Sequence, residues 1–422
     1  MIWVLRYVMR FMEQLPSLCG LPNEKKEYLC LVVMTIEEFD ILRSDDVRRA
    51  IDENIERDPS AVALDKRVPH ASLVATQVKY LQRARRKLPS LYAGRCIIPP
   101  RAFEQCSSED CAERKHISGG SVLDLTCGLG IDAMALSRRF ERVVAIERDE
   151  VLAEVVRYNM SLLGIDNVEV VTASSEEYVA SSNEHFDWVF ADPDRRSSDG
   201  RKMVCLEDCS PDMLSLLPRL RTMSKRVAMK LSPLFDCDEA FRLCSPAEVE
   251  VVSVAGECKE VNIYTSAERN LLRIAMVGVG EWEFAPEAMV AAPSTDSFEA
   301  AKWRYMLIPD VALQKARVAI AALRDYASIW SNNGYAFARE MPDVALPVRA
   351  YRIKAIEQYN PRELKRRFKG VGVELLKRDC RLAADAVRKA SGMKPGGEAM
   401  VAITTIDNKN WVVELDAAPI TE

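Results

Sequence analysis

No Cys-x-x-Cys pair occurs in the 422 residues, although the chain holds twelve cysteines, and only three histidines accompany them. Scattered cysteines and scarce histidines exclude a zinc site and a disulfide framework. No apolar run reaches the roughly 18 residues that span a bilayer, and Arg6 and Arg10 interrupt the apolar opening MIWVLRYVMRFM before a signal-peptide core can form. Glycine and proline are used sparingly, 17 and 20 residues, which excludes collagenous and low-complexity chains. Positive charge is not in excess either: 58 Lys and Arg stand against 63 Asp and Glu, so any nucleic-acid surface must be local. These absences predict a reduced, cytoplasmic globular protein with no metal site and no membrane contact.

What is present divides along the chain. Residues 1–33 read as a non-native or disordered extension, because Leu15, Pro16, Pro22 and the Lys25-Lys26 pair break any helical period, and a cleaner start stands at Met34. Residues 34–115 form a helical N-terminal region by apolar spacing (Phe39, Leu42, Val47, Ile51, then Val74, Val78, Leu81). From Ser121 short β-branched runs (VLDLTC, RVVAIE, VEVVTA, DWVFADP, RVAMKLSP) alternate with amphipathic helices. That rhythm predicts an α/β domain over 116–279 with a doubly wound, Rossmann-like parallel sheet. Two later runs, VEVVSVAG and LLRIAMVGV, lack a helix between them and suit an antiparallel hairpin at the sheet edge. Two small α+β units are expected over 280–345, with one helix across 311–323, and over 346–422.

The strongest local signal is Asp124-Leu-Thr126-Cys127-Gly128-Leu-Gly130-Ile-Asp132-Ala after a strand and opening a helix. Two glycines allow a sharp turn close to a ligand, and the helix start offers free N–H groups. The spacing alone fits NAD or S-adenosylmethionine (SAM). Asp124 decides for SAM, since a carboxylate there pairs with an amino-acid ammonium but repels a pyrophosphate. Glu147 ends the second strand about 20 residues on, where an acid accepts ribose hydroxyls, and Arg148 follows it. Ser174, after the third strand, is both a helix N-cap and a candidate for adenine. The fourth strand ends in Asp192-Pro193-Asp194-Arg195-Arg196, where nitrogen-directed methyltransferases hold (Asp/Asn)-Pro-Pro-aromatic; here Asp194-Arg195 replace the Pro-aromatic pair. Lys230 ends the fifth strand, placed either to meet an anionic acceptor or to pair with Asp192. Glu257, Lys259 and Glu260 read as an ion network.

The C-terminal segment supplies local positive charge: 13 Lys or Arg against 5 Asp or Glu between Arg352 and Lys394. Arg362, Lys365, Arg366 and Lys369 fall on one face of a short helix, a geometry that tracks phosphates.

These stretches, together with Lys87-Leu-Pro, Gln105-Cys-Ser-Ser108-Glu with Ala112 and Lys115, Lys230-Leu-Ser-Pro and Glu257-Cys-Lys-Glu, resemble bacterial class I SAM-dependent methyltransferases with a helical N-terminal region, a ferredoxin-like insert and a C-terminal THUMP-like domain. The resemblance runs from about residue 35 to the C-terminus. It implies SAM as cofactor and RNA, tRNA or rRNA, as partner. It further implies that Gln105 and Ser108 cover the methionine end of the cofactor; by position alone, Ser107 or Ser108 can cap the short helix that follows. Asp192 is the expected orienting group for the methyl acceptor, with Arg195, Arg196 and Lys230 holding its charge. Two other functions compete: an RNA-binding protein that retains SAM without catalysis, and a methyltransferase for a small anionic metabolite.

Overall fold

The computed structural model describes residues 34–195, 206, 209–265 and 268–420. The expectations for residues 1–33 and for Arg196 lie outside the described residues. Two units divide at Val189 and Phe190.

In the first unit, Thr35 and Glu38 form a reciprocal capping box (3.2 and 3.0 Å) that starts helix α1, Ile36–Leu42. Helices α2 (Asp45–Asn54), α3 (Pro59–Leu64) and α4 (Ala71–Lys87) follow, then short α5 (Pro89–Ala93), α6 (Pro100–Gln105) and α7 (Glu109–Ala112). The helices face inward with Phe39, Leu42, Val47, Ile51, Val74, Val78 and Leu81, all buried, as the 3.6-residue spacing requires. Strand β1 (Gly119–Asp124), helix α8 (Ile131–Ser137), β2 (Phe140–Glu147), helix α9 (Glu150–Leu162), β3 (Val168–Thr172) and helix α10 (Ser175–Ser181) then alternate. Strands β1, β2 and β3 lie side by side and parallel, Asp124 opposite Ala145 and Glu147 opposite Thr172. Two buried amides tie the helical region to this core. Gln77 of α4 and Asn159 of α9 each exchange two hydrogen bonds with the backbone of Ile98 and Ile97, at 2.9–3.1 Å. An extended buried segment needs partners for its peptide groups, and these side chains supply them.

Strand β4 (Trp188–Ala191) crosses the division. The second unit contains helix α11 (Met213–Met223), β5 (Val227–Leu231), helix α12 (Cys237–Cys244), β6 (Glu248–Val254), β7 (Glu257–Tyr264), β8 (Leu271–Met276) and β9 (Gly280–Phe284), ordered β9-β8-β6-β7-β5. The expected edge hairpin of β6 and β8 is corrected: these two strands pair in parallel, and β7 runs antiparallel beside β6 and β5. The strand Glu257–Tyr264 is hard to see in the residues because its acids mask a two-residue alternation in which Val261 and Ile263 are apolar. The hairpin at the edge is β8 with β9, so this sheet continues past Gly280.

A second sheet runs through both C-terminal segments. Strand β10 (Tyr305–Pro309) pairs with β11 (Ala336–Ala338) on one side and β12 (Val348–Gln358) on the other. Beyond β12 lie β15 (Lys409–Leu415), β14 (Ala399–Ile406) and β13 (Gly372–Lys377). The single helix expected over 311–323 is two, α13 (Val311–Lys315) and α14 (Ala319–Leu323), because Arg317 adopts φ +56° between them. Helices α15 (Pro361–Phe368) and α16 (Ala384–Ser391) follow. Alternation along β14 and β15 sorts two cores. Val401, Ile403 and Val412 pack with Leu364 and Phe368 of α15, while Met400, Ala402 and Val413 pack in a cluster with Phe298 and Phe337. Among the described residues no helix is long and apolar enough to cross a membrane.

Candidate active site

Asp124 ends β1 fully buried, and its Oδ1 accepts the Thr126 amide at 2.9 Å and the Thr126 hydroxyl at 3.5 Å. The chain then turns: the Cys127 amide donates to Ile146 O (2.9 Å) and Gly130 N to Cys127 O (2.8 Å). Gly128 and Gly130 hold φ of +53° and +80°, a region that disfavours side chains. At Gly130 a Cβ would stand 2.9 Å from both Val156 and Met160, so the turn seats directly on α9. At Gly128 a Cβ would meet only Thr126 O, at 4.0 Å. The turn is therefore packed on its Gly130 side and open at Gly128. Glu147 closes it from β2, with Oε2 accepting Gly128 N (2.8 Å) and Oε1 accepting Asp149 N (2.9 Å). Burial pushes the Glu147 carboxyl up, opposed by those two backbone bonds. Arg148 follows directly in the chain. Cys127 is buried, and burial, reinforced by the carboxylates of Asp124 and Glu147, raises its thiol far above the ordinary value.

Gln105, the last residue of α6, is exposed. Ser108 caps α7, accepting Cys111 N at 3.3 Å. Its neighbour Ser107, the other capping candidate, does not cap this helix and instead donates from Oγ to Asp132 Oδ2 at 3.0 Å. The other Asp132 oxygen faces Lys115 Nζ at 3.7 Å, and Lys115 is only 1% exposed. Asp132, expected to contact cofactor, thus ties the 105–115 segment to the start of α8. Lys115 is visible in the sequence only within a motif; nothing in its spacing signals burial. Ser174 caps α10 in a capping box with Glu177, so its hydroxyl is engaged, and Ser175 Oγ donates to Leu125 O at 2.7 Å.

The second unit holds the other group of expected residues. Asp192 and Lys230 form an ion pair, both partly shielded from solvent, which is one of the two positions foreseen for Lys230. Arg195 lies in a two-residue strand opposite Cys209. The acidic motif of β7 splits. Glu257 and Lys259 pair on the surface, whereas Glu260 is 2% exposed and accepts Asn262 Nδ2 at 3.0 Å. The same amide donates to Glu250 at 2.8 Å. Lys230, Asn262, Glu250 and Arg273 stand opposite one another on consecutive strands, a polar row across one face of the sheet. Arg362, Lys365, Arg366 and Lys369 are all exposed at α15, with Lys369 just past its end. Arg366 pairs with Glu363, while Arg367 turns aside to Glu357 and Glu414.

Comparison with known proteins places these features. Residues 102–207 match the model described as "Conserved hypothetical protein 95", and 348–417 match "THUMP domain-like". A crystal structure of a candidate methyltransferase from Porphyromonas gingivalis W83 superposes with a TM-score of 0.76 at 27% identity, over 90% of this chain and 99% of that one. The chain carries the methyltransferase fold. An uncharacterized S-adenosylmethionine-dependent methyltransferase of Mycobacterium tuberculosis is 27% identical over 184 residues, 42% of this chain and 48% of that protein. A tRNA/tmRNA (uracil-C(5))-methyltransferase of Shigella flexneri is 30% identical over 142 residues, 28% and 38% of the two chains. The chain thus spans about half the length, or less, of the curated relatives it matches. The fold expected from the alternating strands and helices agrees with the superposition, and the methyltransferase resemblance with all three relatives.

The turn fits SAM on its own chemistry. A buried carboxylate at the β1 end suits an ammonium group, a second at the β2 end suits paired hydroxyls, and the open side at Gly128 leaves room for a ligand to approach backbone.

Proposed function

We propose that this chain is a SAM-dependent methyltransferase acting on RNA, with the THUMP-like segment holding the RNA. The observation that carries the reading is the pairing of Asp124 and Glu147 at the ends of adjacent parallel strands around an open, positive-φ glycine turn. Asp124, Glu147 and the Gly128 turn would hold the cofactor, with Gln105, Ser108 and Ser174 at its margins. When bound, SAM supplies an electrophilic methyl group. Asp192 orients an acceptor amine and takes its proton, and the Lys230 ion pair fixes the direction of that carboxylate. Holding the acceptor in line is the main contribution asked of the protein, since no covalent intermediate is needed. Arg362, Lys365, Arg366 and Lys369 engage phosphates, supported by their common exposure and by the tRNA-directed relative. The oxidoreductase alternative fails on charge, because Asp124 would face a pyrophosphate.

The test is transfer of labelled methyl from SAM to RNA isolated from cells lacking the protein. Label in RNA supports the reading. SAM binding without transfer favours the binding protein, and label in a small acidic metabolite favours the third function.

A further inference from the structure

From Lys66 to Phe103 the chain carries nine Lys or Arg and no Asp or Glu. We propose that helix α4 presents a second RNA-backbone surface, formed by Lys79, Arg83 and Arg86 with Arg101 of α6, which grips the strand being modified on the cofactor-holding unit. The proposal rests on the RNA reading above and adds to it a contact outside the THUMP-like segment.

Three observations carry it. First, the charge is arranged. Lys79, Arg83 and Arg86 follow at i, i+4 and i+7, and with Ser72 and Thr76 they form one stripe on the side opposite the buried Val74, Val78 and Leu81. Lys79 and Arg86 stand about 10 Å apart along the axis. Lys79, Arg83, Arg86 and Arg101 are exposed. Like charges at this spacing destabilise a helix, and a face built only for solubility interleaves acids.

Second, the helix dipole does not explain it. Cations in the last turn of α4 (Arg85, Arg86, Lys87) are favoured by the dipole, but Lys79 lies mid-helix and Arg101 lies in the first turn of α6, where a cation is disfavoured. Some of the nine have local partners: Arg85 pairs with Glu56, Arg95 with Asp52 and Arg67 with Asp65. Arg83 pairs with Glu104. Among the described residues Lys79, Arg86 and Arg101 have no carboxylate at ion-pair distance.

Third, the side chains of the stripe pack on aromatic rings, and the segment they rest on continues to the glycine turn. Tyr80 and Phe103 meet edge to face at 5.3 Å. Arg83 sits over both rings (5.2 and 4.8 Å), Lys79 over Tyr80 (5.8 Å) and Lys87 over Phe103 (4.7 Å). Pinned side chains lose less freedom on binding. Lys87 Nζ donates to Phe103 O at 2.7 Å, and four residues further on Ser107 donates to Asp132 beside the glycine turn. A polyanion on the stripe therefore bears on the segment that flanks the cofactor loop.

The experiment is filter binding of total cellular RNA to the full chain across a salt series, with Lys79→Gln, Arg86→Gln and Arg101→Gln combined. Arg83 is left in place because it also packs on two rings. Each phosphate that is no longer neutralised should lower the log–log salt slope by about 0.7 to 0.9, so the three substitutions together should lower it by about 2 to 3. SAM affinity and melting temperature should be unchanged, and Lys79→Arg alone should keep the wild-type slope. A triple variant with the wild-type slope, while Gln at Arg362, Lys365, Arg366 and Lys369 flattens it, overturns this proposal and leaves the RNA reading standing. Wild-type protein that does not bind RNA overturns both. Loss of binding to poly-glutamate with the RNA slope intact overturns the RNA assignment of the stripe in favour of an acidic protein partner.

Discussion

Glu147, at the end of β2, accepts the backbone N–H of Gly128 in the turn that leaves β1, at 2.8 Å. Its second oxygen takes Asp149 N at 2.9 Å. One carboxylate thus binds the loop to the adjacent strand and opens the next helix, while its remaining lone pairs are free to accept from hydroxyl groups of a ligand. On the proposed reading, structure and ligand binding share the same pair of carboxylate oxygens, which makes protonation of this group consequential.

Cofactor affinity should fall as pH drops from neutral toward the ordinary carboxyl value of 4.5, because burial raises the Glu147 carboxyl and only its ionised form accepts at both oxygens. Folding responds in the opposite sense. A folded-state value above the unfolded one means the native protein binds the proton more tightly, so this group's stabilising contribution is complete below the ordinary value and is lost as pH rises through the raised one. Calorimetric titration of SAM at several pH values, for wild type and Glu147→Gln, checks this. Parallel pH profiles for the two proteins would remove Glu147 from the pocket.

Asp124→Ala should weaken SAM by about 1 to 3 kcal/mol, roughly 5- to 150-fold in Kd, since an ammonium left unpaired in a closed site loses a charged partner. The same change strands the Thr126 amide, whose acceptor is Asp124 Oδ1, so a modest fall in melting temperature accompanies it. Asp124→Asn keeps that amide bond and should separate the two effects, restoring stability but not affinity. Equal SAM affinity in wild type and both variants would refute the assignment.

Much of this architecture is legible in the residues. Alternating strands and helices locate β1 to β5, and Asn360, Pro361 and the apolar pair Leu364 and Phe368 mark helix α15, Pro361–Phe368. Legibility fails where charge sits inside the fold. Glu250, Glu260 and Lys115 are all buried, held by Asn262, Tyr264, Cys111 O and Asp132. A sequence pattern reads acids and lysines as solvent-facing, because burial of a charge is set by the partners that the fold places beside it, and residue spacing alone does not reveal them. The basic stripe of α4 is hidden for the opposite reason. Its densest run, Arg83, Arg85, Arg86 and Lys87, stands at the end of α4, where the helix dipole accounts for cations, and only helical spacing brings Lys79 into line with Arg83 and Arg86.

Gly130→Ala should destabilise the first unit more than Gly164→Ala. Both residues hold positive φ, +80° and +67°, which costs an L-residue roughly 1 to 2 kcal/mol. A Cβ at Gly164 enters open space, whereas at Gly130 it meets Val156 and Met160 at 2.9 Å. Overpacking adds about 1 to 3 kcal/mol, and it pushes the glycine turn off α9. Urea denaturation of the two variants gives the difference directly. Equal losses would mean that the turn does not depend on its seat against the helix.

Asp192→Ala should abolish methyl transfer while leaving RNA retention and SAM affinity intact, and Lys230→Met should reduce transfer less severely. Their ion pair sets this order. If Lys230 acts by directing the Asp192 carboxylate, its removal lets that group rotate but leaves it present. With Asp192 already absent, Lys230 has nothing to direct. The double variant should then match Asp192→Ala alone, a strongly non-additive cycle of the kind expected for residues that act as a unit. If Lys230 instead holds the acceptor's own charge, the two losses should add, and Lys230→Met should raise KM for the acceptor with kcat little changed. Single-turnover transfer measured for the four proteins distinguishes these outcomes. Full transfer activity in Asp192→Ala would remove this carboxylate from the reaction altogether.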